Sequence, residues 1–293
     1  MAEEQKWTGK TYGGSKLLGS LIFALRFMDV RLLYLAAAIF VVPVCLCLNA
    51  SRGIAYRYFR ERFNYSPLKA AWKTYINHCL FGQVVIDRFA MYAGKKFKIE
   101  IEGYDHFLHL AAQKEGFVQL SSHIGNYELA GYNLVAETKV FNALVFADEK
   151  ETVMENRNKM FSNTNIRMIG IKPDMSHLFE IDSALVNGEI VSIPADRIFG
   201  SQKCIEKMFL GGYAKFPLGP FSVATMRSLD VLAVNVMKTS LKCYKIYVTP
   251  LKYDKQAKRS EQINMLSSAY VTELERMLNL YPTQWYNYFE FWS

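Results

Sequence analysis

"GFVQLSSHIGNYELAGYNL", residues 116–134, decides how this chain is read. The opening "GFVQL" is an apolar run of strand length, and "ELAGYNLVAE" further on carries apolar residues at helical spacing. Between them stands Ser121-Ser122-His123-Ile124-Gly125-Asn126-Tyr127-Glu128. Loops that follow strand ends are where an α/β sheet places its chemistry. In one continuous helix, His123 and Glu128 would point about 140° apart and could not cooperate. A strand that closes at His123 changes this. Gly125 permits a tight turn and Asn126 is a good N-cap. Glu128 then falls in the first helical turn, within reach of the imidazole. A carboxylate on one ring nitrogen fixes the tautomer and leaves the other nitrogen to take a proton. Spacing alone supports a second reading equally: a histidine capping a helix, beside an acid favoured by the helix dipole. The same spacing recurs at His177 and Asp182, inside a helical pattern with no strand end or glycine turn.

Outward from this stretch, short apolar runs alternate with helical patterns. Strands are predicted at 97–103, 116–122, 142–148, 166–171, 189–196, 231–238 and 244–251. Helices are predicted near 104–114, 126–138, 150–163, 174–187, 219–229 and 260–280. Such alternation implies an α/β fold with a mixed central sheet flanked by helices. The simplest partition is an N-terminal hydrophobic and basic helical region over 1–95, followed by a catalytic-size domain over 96–293. Besides "SSHIGNYE", the segments "PADR" (194–197) and "GGYAKFPLGP" (211–220) stand where chemistry belongs.

The chain of 293 residues is 51% hydrophobic, with a net charge of +8. The charge favours anionic partners without choosing among them. Basic residues are scattered rather than striped and no binding motif is present, so nucleic acid is disfavoured. The five cysteines form no C-x-x-C pair and read as reduced core thiols. The uncharged run "LLYLAAAIFVVPVCLCL" (32–48) is slightly shorter than the about 20 residues of a spanning helix. It reads as an uncleaved membrane anchor that either spans or lies shallowly in one leaflet. The rivals are a signal peptide and a buried core helix. On the anchor reading, Arg52, Arg57, Arg60 and Arg62 meet a cytosolic lipid surface, with Tyr56, Tyr58 and Phe59 at headgroup level.

Other chemistries lack their motifs. No G-x-S-x-G elbow occurs, and Ser122 and His123 as adjacent strand residues would point to opposite faces. There is no H-E-x-x-H and no G-x-x-x-x-G-K-[ST]. His78, His106, His109 and His177 have no neighbours suggesting a metal, and no metal is expected.

"SSHIGNYELAGYNL" resembles the H-x-x-x-x-[DE] block of the lysophospholipid acyltransferase superfamily. Within it, the block is similar to that of the late acyltransferases of lipid A biosynthesis, which reads H-x-G-N-W-E; Tyr127 stands here for the tryptophan. The resemblance continues through "GEIVSIPADR" (188–197), "GGYAKFPLGPFSVATMRSLDVLAVNV" (211–236) and "YPTQWYNYFEFW" (281–292). The ending lacks the family's fuller Pro-x-x-Trp pattern with basic residues, which leaves the acceptor open. The resemblance implies transfer of a fatty acyl group from a thioester of acyl carrier protein or coenzyme A to a hydroxyl or amine of a lipid-like acceptor. It implies His123 and Glu128 as the catalytic dyad, and no cofactor beyond the acyl thioester co-substrate. Arg197 becomes a candidate for oxyanion, phosphate or phosphopantetheine contact, oriented by Asp196, or else one partner of a surface salt bridge. Arg167 and Lys215 would add positive charge, and Gly219 and Pro220 a turn with backbone donors at a helix N-terminus. The implied partners are acyl carrier protein and membrane lipid, at the cytoplasmic face of a bacterial inner membrane. The other function classes are a non-catalytic lipid-binding or membrane scaffold protein and a lipid hydrolase.

Overall fold

The computed structural model of the chain describes residues 20, 22–49, 52–134, 139–146, 165–171, 174–198 and 203–292. The helix predicted at 150–163 lies outside them. The chain forms two compact units: residues 98–147, 161–282 and 292–293 make one, and residues 1–97, 148–160 and 283–291 the other.

The larger unit is built on a seven-stranded sheet in the order β1-β9-β8-β2-β5-β3-β4. Its strands are β1 (Lys98–Glu102), β2 (Phe117–Ser121), β3 (Phe141–Phe146), β4 (Ile166–Ile171), β5 (Ile190–Pro194), β8 (Val231–Ser240) and β9 (Cys243–Pro250). All neighbours run parallel except β8 and β9, a hairpin pair, so the sheet is mixed as expected. Every residue of β2 is buried, as a central strand covered on both faces requires. Flanking helices include α5 (Tyr104–Ala112), α6 (Glu128–Asn133), α7 (His177–Val186), α8 (Leu218–Met226) and α9 (Arg259–Leu280). Helix α6 ends at Asn133, since Leu134 has left helical geometry, and residues 135–138 of the predicted helix lie outside the described residues.

One element is absent from the expectation. Residues 204–217, for which no strand is predicted, form a two-stranded hairpin, β6 (Cys204–Phe209) with β7 (Gly212–Pro217). Its tip, Leu210-Gly211, has φ of 48° and 75°, the pattern of a tight two-residue hairpin turn. Leucine is a rare occupant of that conformation, and the Leu210 N–H is held by the Glu275 carboxylate.

The smaller unit is helical: α1 (Val30–Ala36), a π-helical stretch (Ala37–Val41), α2 (Val42–Leu48), α3 (Arg52–Arg57), a second π-helical stretch (Tyr58–Arg62) and α4 (Pro67–Tyr92). Tyr58 and Phe59 are buried here, packed with Phe63 and Tyr65, and Tyr58 also meets Trp285. This corrects their placement at headgroup level: an aromatic pair on the inward face of a helix is core. The cysteines need a similar correction. Cys79 is buried, while Cys45, Cys47 and Cys204 are exposed, and all five are free.

A buried cation fixes the start of the two central strands. Lys139 donates to the carbonyls of Gly188 (2.6 Å), Glu115 (3.0 Å) and Lys114 (3.4 Å), just before β5 and β2. Burial lowers its pKa, because the ammonium has left water for carbonyl dipoles. Lys139→Met would leave those carbonyls without their donor, at a cost of about 1–3 kcal/mol. Its Tm is expected to fall by at least about 3 °C in a thermal melt.

Candidate active site

The site grows from the register of β2 on β5. Ser121 pairs with Pro194, and the ladder continues one step further as Ala195 N–H donates to the Ser121 carbonyl at 2.9 Å. His123 and Asp196 each stand two residues past those paired positions, so the parallel register brings them side by side. The His123 backbone N–H donates to Asp196 Oδ2 (2.9 Å), and His123 Nδ1 lies 2.8 Å from Asp196 Oδ1. Both residues are buried, Asp196 completely.

The carboxylate on Nδ1 is therefore Asp196, whereas the sequence reading gave that place to Glu128 and had Asp196 orient Arg197. Burial pushes the Asp196 carboxyl up. The facing His123 charge and hydrogen bonds, with the nearby Arg197 charge, outweigh burial and hold the carboxyl below its ordinary range. An ionised Asp196 accepts, so we assign the imidazole proton to Nδ1, and Nε2 carries the lone pair. Tyr127 packs edge-on against the imidazole, with ring centroids 5.2 Å apart. Glu128 opens α6 and is half-buried.

The opposite flank is tied to β8. Ser122 Oγ donates to Asn235 Oδ1 (2.9 Å), and the Asn126 N–H donates to the Val236 carbonyl (2.8 Å). Gly125 sits between, at φ 58°, and a Cβ there would lie 1.9 Å from the Val236 oxygen. No other residue type fits that bend. Asn126 Nδ2 reaches the Tyr244 hydroxyl at 3.4 Å, and the buried Lys238 ammonium lies 3.5 Å from the same oxygen. Beneath the strand end, the Tyr270 hydroxyl donates to the Ser121 carbonyl at 3.0 Å. Burial first, and then the Asp196 charge, push its pKa well up, so it stays a donor. Sequence reasoning missed Asn235, Lys238, Tyr244 and Tyr270, whose partners lie more than 100 residues away or on another strand. The Asp196 contact had one signal: "SSH" and "PAD" end two strands of equal length in equivalent positions.

The other expected residues divide. Arg197 is half-buried and acts on Asp196 by its charge. Arg167 is a correction. Its row runs through Asn142 and Val191 to Val118, the start of the parallel strands, and it faces Glu189 at 3.5 Å. That row lies about 16 Å from His123 along the strand direction. Lys215 is exposed on β7, opposite Glu206. Gly219 is exposed and Pro220 buried in the first turn of α8. The Leu218 N–H already donates to the Lys203 carbonyl, and proline has none, so this turn offers fewer donors than expected. Helix α8 meets the site from below, where Phe221 packs on Tyr270 with centroids 5.7 Å apart.

A histidine held by a buried carboxylate at the strand ends of a mixed α/β sheet suits base-assisted group transfer, and this chain is an acyltransferase. It belongs to the family described as bacterial lipid A biosynthesis acyltransferase, which matches residues 86–292. Among solved structures it is similar to the 1-acyl-sn-glycerophosphate (LPA) acyltransferase PlsC from Thermotoga maritima. That likeness is at 14% identity and a TM-score of 0.41, over 94% of this chain and 100% of the other. Among curated proteins, none matches the chain.

The depressed Asp196 pKa has a testable sign. Its contribution to stability is present above the unfolded carboxyl value of about 3.9 and is lost as pH falls toward the lower folded value. Asp196→Asn has no such titration. In denaturant melts from about pH 5 down to pH 3, wild type is expected to lose stability faster than Asp196→Asn.

Proposed function

We propose that the protein transfers a fatty acyl group from an acyl carrier protein or coenzyme A thioester to a hydroxyl or amine of a membrane lipid, at the cytoplasmic face of a bacterial inner membrane. The observation that carries the chemistry is the double hydrogen bond between His123 and Asp196. His123 Nε2 takes the proton from the acceptor as its oxygen or nitrogen attacks the thioester carbonyl. Asp196 stabilises the imidazolium that forms. Arg197 supplies positive charge for the developing oxyanion. The tetrahedral intermediate collapses, the carbon–sulfur bond breaks, and the imidazolium returns the proton to the departing sulfur. Glu128, on the helix that opens five residues after His123, adds a second negative charge favouring the imidazolium. The net charge of +8 suits an acidic donor protein.

The test is acyl transfer from acyl-carrier-protein and coenzyme A thioesters to lipid acceptors, followed by mass spectrometry. His123→Ala is expected to abolish turnover. Asp196→Asn should lower kcat by about 10²–10⁴-fold. Glu128→Gln should cost less than Asp196→Asn. Near-wild-type turnover by His123→Ala would refute the base assignment and favour a lipid-binding scaffold. Release of free fatty acid with no acylated lipid would point to a hydrolase.

A further inference from the structure

The helical unit presents an apolar face that acyl transfer does not use. Along Val30–Leu48, a run of 19 residues long and apolar enough to cross a membrane, Leu32, Leu35, Ile39, Phe40, Val44 and Leu48 all point outward. Phe40 is 69% exposed and Leu48 82%. A core helix would bury them. Length alone permits crossing, since 19 residues rise about 28 Å.

We propose that this run does not cross the bilayer but lies lengthwise in one leaflet of an anionic membrane, with both ends at the same headgroup layer. The proposal refines the membrane placement in the functional reading above and rests on it.

Its inward face decides the matter. Both halves of the run pack on α4. The Tyr34 hydroxyl donates to the Asp87 carboxylate, and the Tyr75 hydroxyl donates to the Ala38 carbonyl at 3.0 Å. Ile22, Leu25, Val30 and Tyr34 share a core with Phe89 and Ala90. A crossing run would therefore take α4 through the hydrocarbon with it. Helix α4 is built for water along another side. Exposed Lys69 and half-buried Lys73 lie near its start, and half-buried Arg88 near its end. At its middle, Asn77 Nδ2 donates to the carbonyls of Thr283 (3.0 Å) and Trp285 (2.9 Å). Those carbonyls belong to an irregular segment that also bears Glu290, 67% exposed at its side chain and paired with Arg57. An ion pair with about half or more of each side chain exposed is costly in hydrocarbon. Lying flat resolves the conflict, with the apolar face in lipid and the α4 side in water.

Charge agrees with this orientation. Arg26 precedes the run and Arg31 is its second residue. Arg52 flanks its end, where its guanidinium donates to the carbonyls of Leu46 and Cys47. A spanning helix places its arginines mainly on one side, whereas arginines at both ends suit one anionic headgroup layer. The face also extends onto the first turns of α4, where exposed Leu68 stands one turn before exposed Trp72, itself stacked on Tyr75 at 5.4 Å.

The test is sidedness. In the full chain, Cys45, Cys47, Cys204 and Cys243 are replaced by alanine, buried Cys79 is kept, and Phe27→Cys or Asn49→Cys is added singly. Membrane-impermeant maleimide is applied to right-side-out and inverted membrane vesicles. Both positions are expected to react in the same vesicle type and to be protected in the other. Reaction in opposite types would overturn the proposal. So would recovery of the wild-type chain in the soluble fraction. A separate arm measures sedimentation of the purified wild type and Phe40→Asp with vesicles of phosphatidylglycerol and phosphatidylethanolamine, or of phosphatidylcholine alone. The expected result is at least tenfold weaker binding for Phe40→Asp and for wild type on phosphatidylcholine. Acyl transfer in detergent, assayed on every variant, reports folding and separates the two ideas. A chain active in detergent with ends on opposite sides loses only the flat placement. A chain with both ends on one side but no transfer activity loses only the functional reading.

Discussion

The structure depends on one register. Parallel β2 and β5 pair Ser121 with Pro194, and the proposed chemistry rests on His123 and Asp196, two residues beyond that pair. A shift of one residue would turn His123 to the opposite side of its strand and part it from Asp196, because strand side chains alternate. The register is secured at both ends. Lys139 draws together the carbonyls that precede the two strands, and the Tyr270 hydroxyl and Ala195 N–H converge on the Ser121 carbonyl where they finish. The third neighbour, β8, takes up the slack in the turn: its Val236 carbonyl receives the Asn126 N–H only because Gly125 has no side chain to intervene.

Most of the sheet could be read in the chain because its strands are short, apolar and β-branched, and their ends fall where polar turn residues begin. "FVQLS", "IVSIP" and "VLAVNV" are continuous runs, as central parallel strands must be. The β6–β7 hairpin escaped for a local reason. Its turn uses Leu210 in a left-handed conformation that Asn-Gly would have announced, and a glutamate 65 residues away holds the unusual N–H. Tyr58 and Phe59 escaped because aromatic residues among arginines look interfacial until their partners, Phe63, Tyr65 and Trp285, are known.

The site was half legible. His123 was visible because a strand end, a glycine turn and a helix start coincide there. Its partner on Nδ1 was not, since sequence spacing sees carboxylates a few residues away and Asp196 is 73 residues on. Arg167 misled because it sits on a strand of the same sheet. Position along a parallel strand matters more than membership, and a residue at the start of β4 cannot reach the ends of β2 and β5.

Burial also distinguishes the two carboxylates. Glu128 is half-buried in the first turn of its helix. Asp196 is completely buried, and an ionised carboxylate there persists only with partners. It has them in the backbone N–H and the ring of a single residue, with an arginine's charge beside it. The dependence is mutual. Asp196 needs His123 to remain charged, and His123 needs Asp196 to hold its ring at one angle and its proton on one nitrogen. A histidine that merely capped a helix would face the helix N-terminus; this one is bound, by main chain and side chain together, to the neighbouring strand. That attachment fixes the orientation of the imidazole within the protein itself, which is the pre-organisation the proposed base role calls for.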